Sequence, residues 1–206
     1  MSSGMIKICG ITRVEDAQAA ADAGATALGF NFYPRSKRYI APHDVLPITR
    51  TVPRGVWKVG VFVNEVPEVV EAIAKQVGLD VVQLHGDEQP DALPSFQRIW
   101  KAFRVEPGFS LSAMDRYPSV EAFLLDGPAG AEYGGTGKPF AWGIAAQCER
   151  KTILAGGLDA ANVRHAIAEA HPWGVDACSK LETAPGIKDH RKMVEFVEAA
   201  KAAEEW

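Results

Sequence analysis

The stretch KVGVFVNEVPEVVEAIAKQVGLDVVQLHG, residues 58–86, decides the fold. It opens on a short, continuous apolar run at 58–63. After Asn64, apolar residues fall at Val66, Val69, Val70, Ile73, Ala74 and Val77. That spacing is one face of a helix. A second apolar run follows at 81–84. Continuous runs this short suit strands of a parallel sheet buried on both faces, so the stretch reads strand, helix, strand.

The same alternation extends in both directions. Further β-rich runs lie at 6–9, 27–32, 99–103, 122–126, 152–155 and 174–178, which makes eight. Between them, Thr12-Arg13-Val14-Glu15 matches a capping box and Gly24 suits a helix end. Asp159 and Asp189 are the expected N-caps of two later helices. Pro90 and Pro94 limit the helix after the fourth run, and 110–116 is barely two turns. Eight such units predict an α/β fold, a closed (β/α)8 TIM barrel with a parallel eight-stranded core. An open doubly wound sheet is the runner-up, but it usually needs fewer strands. The 206 residues allow about 26 per unit, short for a fold that typically takes about 250 residues. No length is left for a second module, so residues 1–206 read as one domain. Met5 is an alternative start, with residues 1–4 an extension.

Apolar residues make up 47% and charged residues 23%, which excludes a disordered or collagen-like chain. The formal net charge of −4 offers nothing to a phosphate backbone, so no nucleic-acid partner is expected. A phosphate held here belongs to a small molecule. Three cysteines far apart, without a CxxC, fit a reducing compartment. No run is long enough for a membrane helix and no signal pattern opens the chain, so a cytoplasmic protein with no membrane partner is expected.

In such a barrel, chemistry sits where strands end. The first run ends on Cys9, which is either a thiolate base in a positive setting or a buried filler. Cys148 and Cys178 read as fillers, although Cys178 also ends a strand. The sixth run ends on Asp126, a carboxyl that is costly there unless paired or used, and placed for general-acid work. His85 ends the fourth run as a donor, a base or a satisfied polar residue. The five histidines show no metal-ligand spacing, so no metal is expected. Arg35, Lys37 and Arg38 form a local positive patch in an acidic chain, suited to a carboxylate or phosphate. Glycine or small-residue loops at 133–139, 155–158 and 178–182 offer backbone amides to phosphate. The last two are where this fold commonly binds it.

These residues resemble phosphoribosylanthranilate isomerase along nearly the whole chain. The carriers are Lys7-Ile8-Cys9-Gly10-Ile11-Thr12, Gly29-Phe30-Asn31-Phe32-Tyr33-Pro34-Arg35-Ser36-Lys37-Arg38, Gln83-Leu84-His85-Gly86, Leu124-Leu125-Asp126, Gly134-Gly135-Thr136-Gly137-Lys138 and Ala155-Gly156-Gly157-Leu158. The resemblance implies an Amadori rearrangement of N-(5-phosphoribosyl)anthranilate without metal or cofactor. It implies Asp126 as general acid, Cys9 as general base, Arg38 on the substrate carboxylate and His85 lining the site. Gly135, Gly156, Gly157 and Ser179 are the implied phosphate loops. One departure stands out. Where the family usually carries Ser-Ser-Gly or Asn-Ser-Gly, this chain has Cys178-Ser179-Lys180. Lys180 either strains a left-handed backbone or points its charge at the phosphate. The alternatives are a related sugar-phosphate isomerase barrel, whose aspartate pair Cys9 argues against, and a catalytically silent phosphate-binding barrel. A monomer or homodimer is expected.

Overall fold

A computed structural model describes residues 4–127, 140–203 and 206. Eight parallel strands form a closed barrel: β1 (Met5–Cys9), β2 (Ala27–Asn31), β3 (Trp57–Phe62), β4 (Val81–Leu84), β5 (Ile99–Arg104), β6 (Ala122–Asp126), β7 (Thr152–Ala155) and β8 (Gly174–Ala177). Each pairs with the next, and β1 closes on β8 with Met5 opposite Gly174 and Ile8 opposite Ala177. The helices are α1 (Val14–Ala23), α2 (Pro42–Thr49), α3 (Pro67–Val77), α4 (Phe140–Ala145), α5 (Val163–Ala170) and α6 (His190–Lys201). Short 3-10 segments at Pro90–Ala92 and Leu111–Arg116 stand where prolines and a short connection leave no room for more.

Strand side chains alternate between two cores. Ile6, Ile8, Leu28, Phe30, Leu84, Phe123 and Leu125 pack outward against the helices. Met5, Ala27, Val59, Val81, Trp100, Ala122, Leu124 and Ile153 fill the barrel interior. Burial on both faces is why the strand runs read as continuously apolar. Trp57, Trp100 and Trp173 lie with ring centroids 5.8–6.0 Å apart at the N-terminal end of the barrel. Arg98 covers Trp57 and Lys151 covers Trp173, each within 5 Å of the ring centre. The three rings seal that end, so polar groups of the interior face only the other.

Helix ends follow the sequence in part. Gly24 takes the left-handed conformation that ends α1, and Asp189 accepts a hydrogen bond from Lys192 N to cap α6. The Thr12 capping box is not formed. Thr12 Oγ1 donates to Gly186 O instead, and Arg13 stands at the start of α1 without a side-chain cap. Asp159 caps the turn before α5, accepting from Ala161 N, while Asn162 occupies the helix N-cap position. Both differences arise because a tertiary or local turn partner outcompetes the helix amide. A short hairpin, β9 (Glu182–Ala184) and β10 (Ile187–Lys188), is the element with no signal in the hydrophobic pattern.

Trp100 is fully buried, and its Nε1 has no hydrogen-bond partner among the described residues. Trp100→Ala is therefore expected to cost about 3–5 kcal/mol by emptying the centre of the seal. Trp100→Phe gives up no hydrogen bond and should cost distinctly less. Thermal unfolding of the two variants checks the order.

Candidate active site

Above the tryptophan seal the barrel interior turns polar. Lys7 of β1 is fully buried, and its Nζ lies 2.9 Å from Asp176 Oδ1 of β8. Two ions this deep are tolerated only as partners. Burial works against the Lys7 charge, but Asp176 and Cys9 outweigh it, and the ammonium is held above its usual range. Burial pushes Asp176 up to about 7 against the pull of Lys7, with the Cys9 anion adding to the rise.

Cys9 ends β1, one inward position beyond Lys7. Its thiol is pulled well below the usual range. The first cause is a hydrogen bond from Cys178, which beats the opposing effect of burial; Lys7 and Lys188 add positive charge. Cys178 keeps its proton correspondingly firmly. The sequence reading of Cys178 as filler therefore gives way: it lines the same cavity as Cys9 and shares its proton chemistry.

The hairpin extends this chain of contacts. Buried Lys188 Nζ lies 3.2 Å from Cys178 O, 3.8 Å from Cys178 Sγ and 2.9 Å from Glu182 Oε1. Glu182 in turn accepts a two-pronged grip from Arg38, Nη2 to Oε2 at 2.6 Å and Nε to Oε1 at 2.8 Å. Burial would raise Glu182, but Arg38 and Lys188 hold it below the usual carboxylate range. The hairpin is anchored from beneath by Asp16, which takes Arg13, His190 Nε2 at 2.8 Å and Lys188 N at 3.1 Å.

Across the mouth, His85 Nε2 lies 3.2 Å from Asp126 Oδ2. The Gln83 side-chain amide lies 3.1 Å from His85 Nδ1 and orients the ring towards the carboxylate. The loop behind His85 is pinned by Glu88, which accepts from Asn64 N and Gly86 N and pairs with Lys101 at 3.1 Å.

Cys9, Cys178, Asp176, Arg38, His85, Gln83 and Asp126 border one cavity of about 590 Å³ at the C-terminal mouth, a size that suits a small ligand. Cys9, Arg38, His85, Asp126, Gly156, Gly157 and Ser179 all line it. Gly135 lies outside the described residues. Gly156 has φ +90°, and a Cβ there would stand 2.0 Å from Gly127 O, so glycine is required twice over. Gly157 is also left-handed. Lys180 is not: it sits in the 3-10 turn Ser179–Leu181, unstrained, and lines the cavity beside Ser179. Of the two readings of that departure, the strained left-handed backbone is not what the structure has. Arg104 also borders the cavity, a position the sequence reading did not single out.

A barrel whose mouth joins a thiol held towards its anion, a carboxyl paired with histidine and a turn of two glycines defines an acid–base enzyme of small phosphorylated molecules. Comparison with known proteins narrows this. The family model for N-(5'-phosphoribosyl)anthranilate (PRA) isomerase matches residues 6–199. The N-(5'-phosphoribosyl)anthranilate isomerase of Solibacter usitatus is 54% identical over 97% of this chain and 98% of that protein. The crystal structure of phosphoribosyl anthranilate isomerase from Thermotoga maritima has a TM-score of 0.87 at 41% identity, covering 96% of this chain and 98% of that one. A phosphoribosyl anthranilate isomerase solved in complex with reduced 1-(o-carboxyphenylamino)-1-deoxyribulose 5-phosphate has a TM-score of 0.83 at 37% identity, over 96% of this chain and 98% of that one. The chain belongs to the phosphoribosylanthranilate isomerase family. No helix among the described residues is long and apolar enough to cross a membrane.

The electrostatics of Cys9 are open to measurement without substrate. Removing the cation beneath it in Lys7→Met raises the thiol pKa, so the thiolate fraction falls most at low pH. Alkylation of the peptide carrying Cys9 by iodoacetamide is expected to slow about tenfold or more near pH 6 and little near pH 9. An unchanged pH profile would contradict the assignment.

Proposed function

We propose that Cys9 and Asp126 are the base and acid of this chain's reaction. The chain is a phosphoribosylanthranilate isomerase of tryptophan biosynthesis, catalysing the intramolecular Amadori rearrangement of N-(5-phosphoribosyl)anthranilate. The product is 1-(2-carboxyphenylamino)-1-deoxyribulose 5-phosphate. The observation that carries the residue roles is the shared cavity, which has a thiol held towards its anion on one wall and a carboxyl with its histidine on another.

The rearrangement moves protons in sequence. Asp126 delivers one to the ribose ring oxygen, the C1–O bond breaks, and the anilino nitrogen stabilises C1 as an iminium. The Cys9 thiolate then removes the C2 proton to give an enolamine, and the enolamine relaxes to the C2 ketone. The two groups must start in opposite protonation states. Lys7 and Lys188 favour the anion of Cys9. Asp126 stands at the opposite wall, 3.2 Å from His85 Nε2.

The remaining contacts position the substrate. Gly156, Gly157 and Ser179 offer backbone amides to the phosphate, and Lys180 supplies the charge that glycine amides lack. Gly135 is assigned to the same role on the resemblance alone. The Arg38 grip on Glu182 uses Nε and Nη2, which leaves Nη1 for the anthranilate carboxylate. Every assigned group comes from one chain, so the reading holds for a monomer or a homodimer. The phosphorylated substrate and a cytoplasmic location follow from the same reading.

Cys9→Ala and Asp126→Asn are each expected to lower turnover by about 10²–10⁴-fold or more, with KM changing far less. Loss of anthranilate-substrate fluorescence follows the reaction. Near-normal turnover in either variant removes that residue from the mechanism.

A further inference from the structure

The pair of thiols at the cavity goes beyond what the rearrangement needs. Isomerisation uses one sulfur, as a base. Cys178 occupies a position where the family pattern carries serine or asparagine, and its thiol brings a second sulfur to the first.

The geometry is that of a bond waiting to form. Ile8 and Ala177 are register partners on adjacent parallel strands, and Cys9 and Cys178 each stand one residue further along. Both line the interior cavity, and the Cys178 thiol is the first of the causes that lower Cys9. Paired strands lie about 4.8 Å apart, and β1 and β8 are still paired at the residue before each cysteine; disulfides span about 4.4–6.8 Å between Cα atoms. A glycine stands close against each sulfur. A Cβ on Gly29 would stand 2.7 Å from Cys9 Sγ, and one on Gly10 would stand 3.0 Å from Cys178 Sγ. Cys148 is elsewhere, with its sulfur 3.6 Å from Met114 Sδ.

We propose that Cys9 and Cys178 form a two-thiol oxidation site, which a hydroperoxide converts reversibly to a disulfide that silences the isomerase. The silencing half rests on the reading of Cys9 as base.

The chemistry balances in two steps. The Cys9 thiolate attacks the peroxide; an S–O bond forms, the O–O bond breaks and the alcohol or water departs. Cys9 is thereby oxidised by two electrons to a sulfenic acid. The Cys178 sulfur then attacks Cys9 sulfur; the S–S bond forms, the S–O bond breaks, and the Cys178 proton leaves with the hydroxyl as water. Two thiols and one hydroperoxide give one disulfide, one alcohol and one water. Cys178 holds its proton while Cys9 is an anion. Sulfenic acid formation removes that anion, and Lys188 at 3.8 Å then favours the Cys178 thiolate. A thiol reductant reverses the process by exchange.

The test treats the full chain with hydrogen peroxide and maps unreduced tryptic peptides. The expected product joins the peptide 8–13 to the peptide 165–180, with the loss of two hydrogens. Activity should fall with cross-linking and return with dithiothreitol. In Cys178→Ser, measured against its own untreated activity, peroxide should carry Cys9 on to sulfinic acid, and dithiothreitol should restore little. Sulfinic acid on Cys9 of the unaltered chain, with no joined peptides, would overturn the proposal. So would recovery of Cys178→Ser as complete as that of the unaltered chain. Joined peptides in fully active protein would leave the disulfide standing and overturn the role of Cys9 as base, and with it the silencing.

Discussion

A single buried lysine stands between two anions near the top of the barrel. Lys7 pairs with Asp176 at 2.9 Å and lies within electrostatic reach of Cys9. Burying either anion alone would cost several kcal/mol, and burying the lysine alone would cost as much. Together they let the closed interior keep a thiolate that water would otherwise have to stabilise. The rest of the molecule is arranged around that compromise. The tryptophan seal closes the far end, and the apolar interior layer lies between the seal and the ions. Among the described residues, the buried charged groups lie towards the opposite, C-terminal mouth.

The β9–β10 hairpin carries the same electrostatics to the substrate's grip. Lys188 touches both Cys178 and Glu182, and Glu182 holds Arg38. Lys188 and Arg38 therefore share one carboxylate between them. Asp16 and Thr12, from the first βα connection, fix the hairpin's position. Cys9, at the end of β1, and the hairpin after β8 are adjacent because the barrel closes β1 on β8. Closure is thus a condition of the chemistry as well as of the packing.

The eight strands were legible because each is buried on both faces and so reads as an apolar run ending near a polar residue. Cys9, His85 and Asp126 were visible as those endings, and Gly156 and Gly157 as turn residues. The Lys7–Asp176 pair was not read, although a lysine and an aspartate inside apolar runs are the signal that could have found it. Pairing them needs strand closure and register, which local pattern does not carry. Thr12 and Asp159 looked like helix caps because local spacing cannot see competing partners. Glu182 and Lys188 sit in strands too short to show a period. Cys178 read as filler because nothing local distinguishes a thiol packed in a core from one facing another thiol.

The central claim is that the Cys9 sulfur faces the carbon that loses its proton. A crystal structure of this chain with the reduced product analogue, 1-(o-carboxyphenylamino)-1-deoxyribulose 5-phosphate in reduced form, tests it most directly. The account predicts Cys9 Sγ about 3–3.5 Å from C2, Asp126 on the ring-opened oxygen and the phosphate at Gly156, Gly157 and Lys180. An analogue bound with C2 turned away from Cys9, and another side chain in its place, would contradict the account.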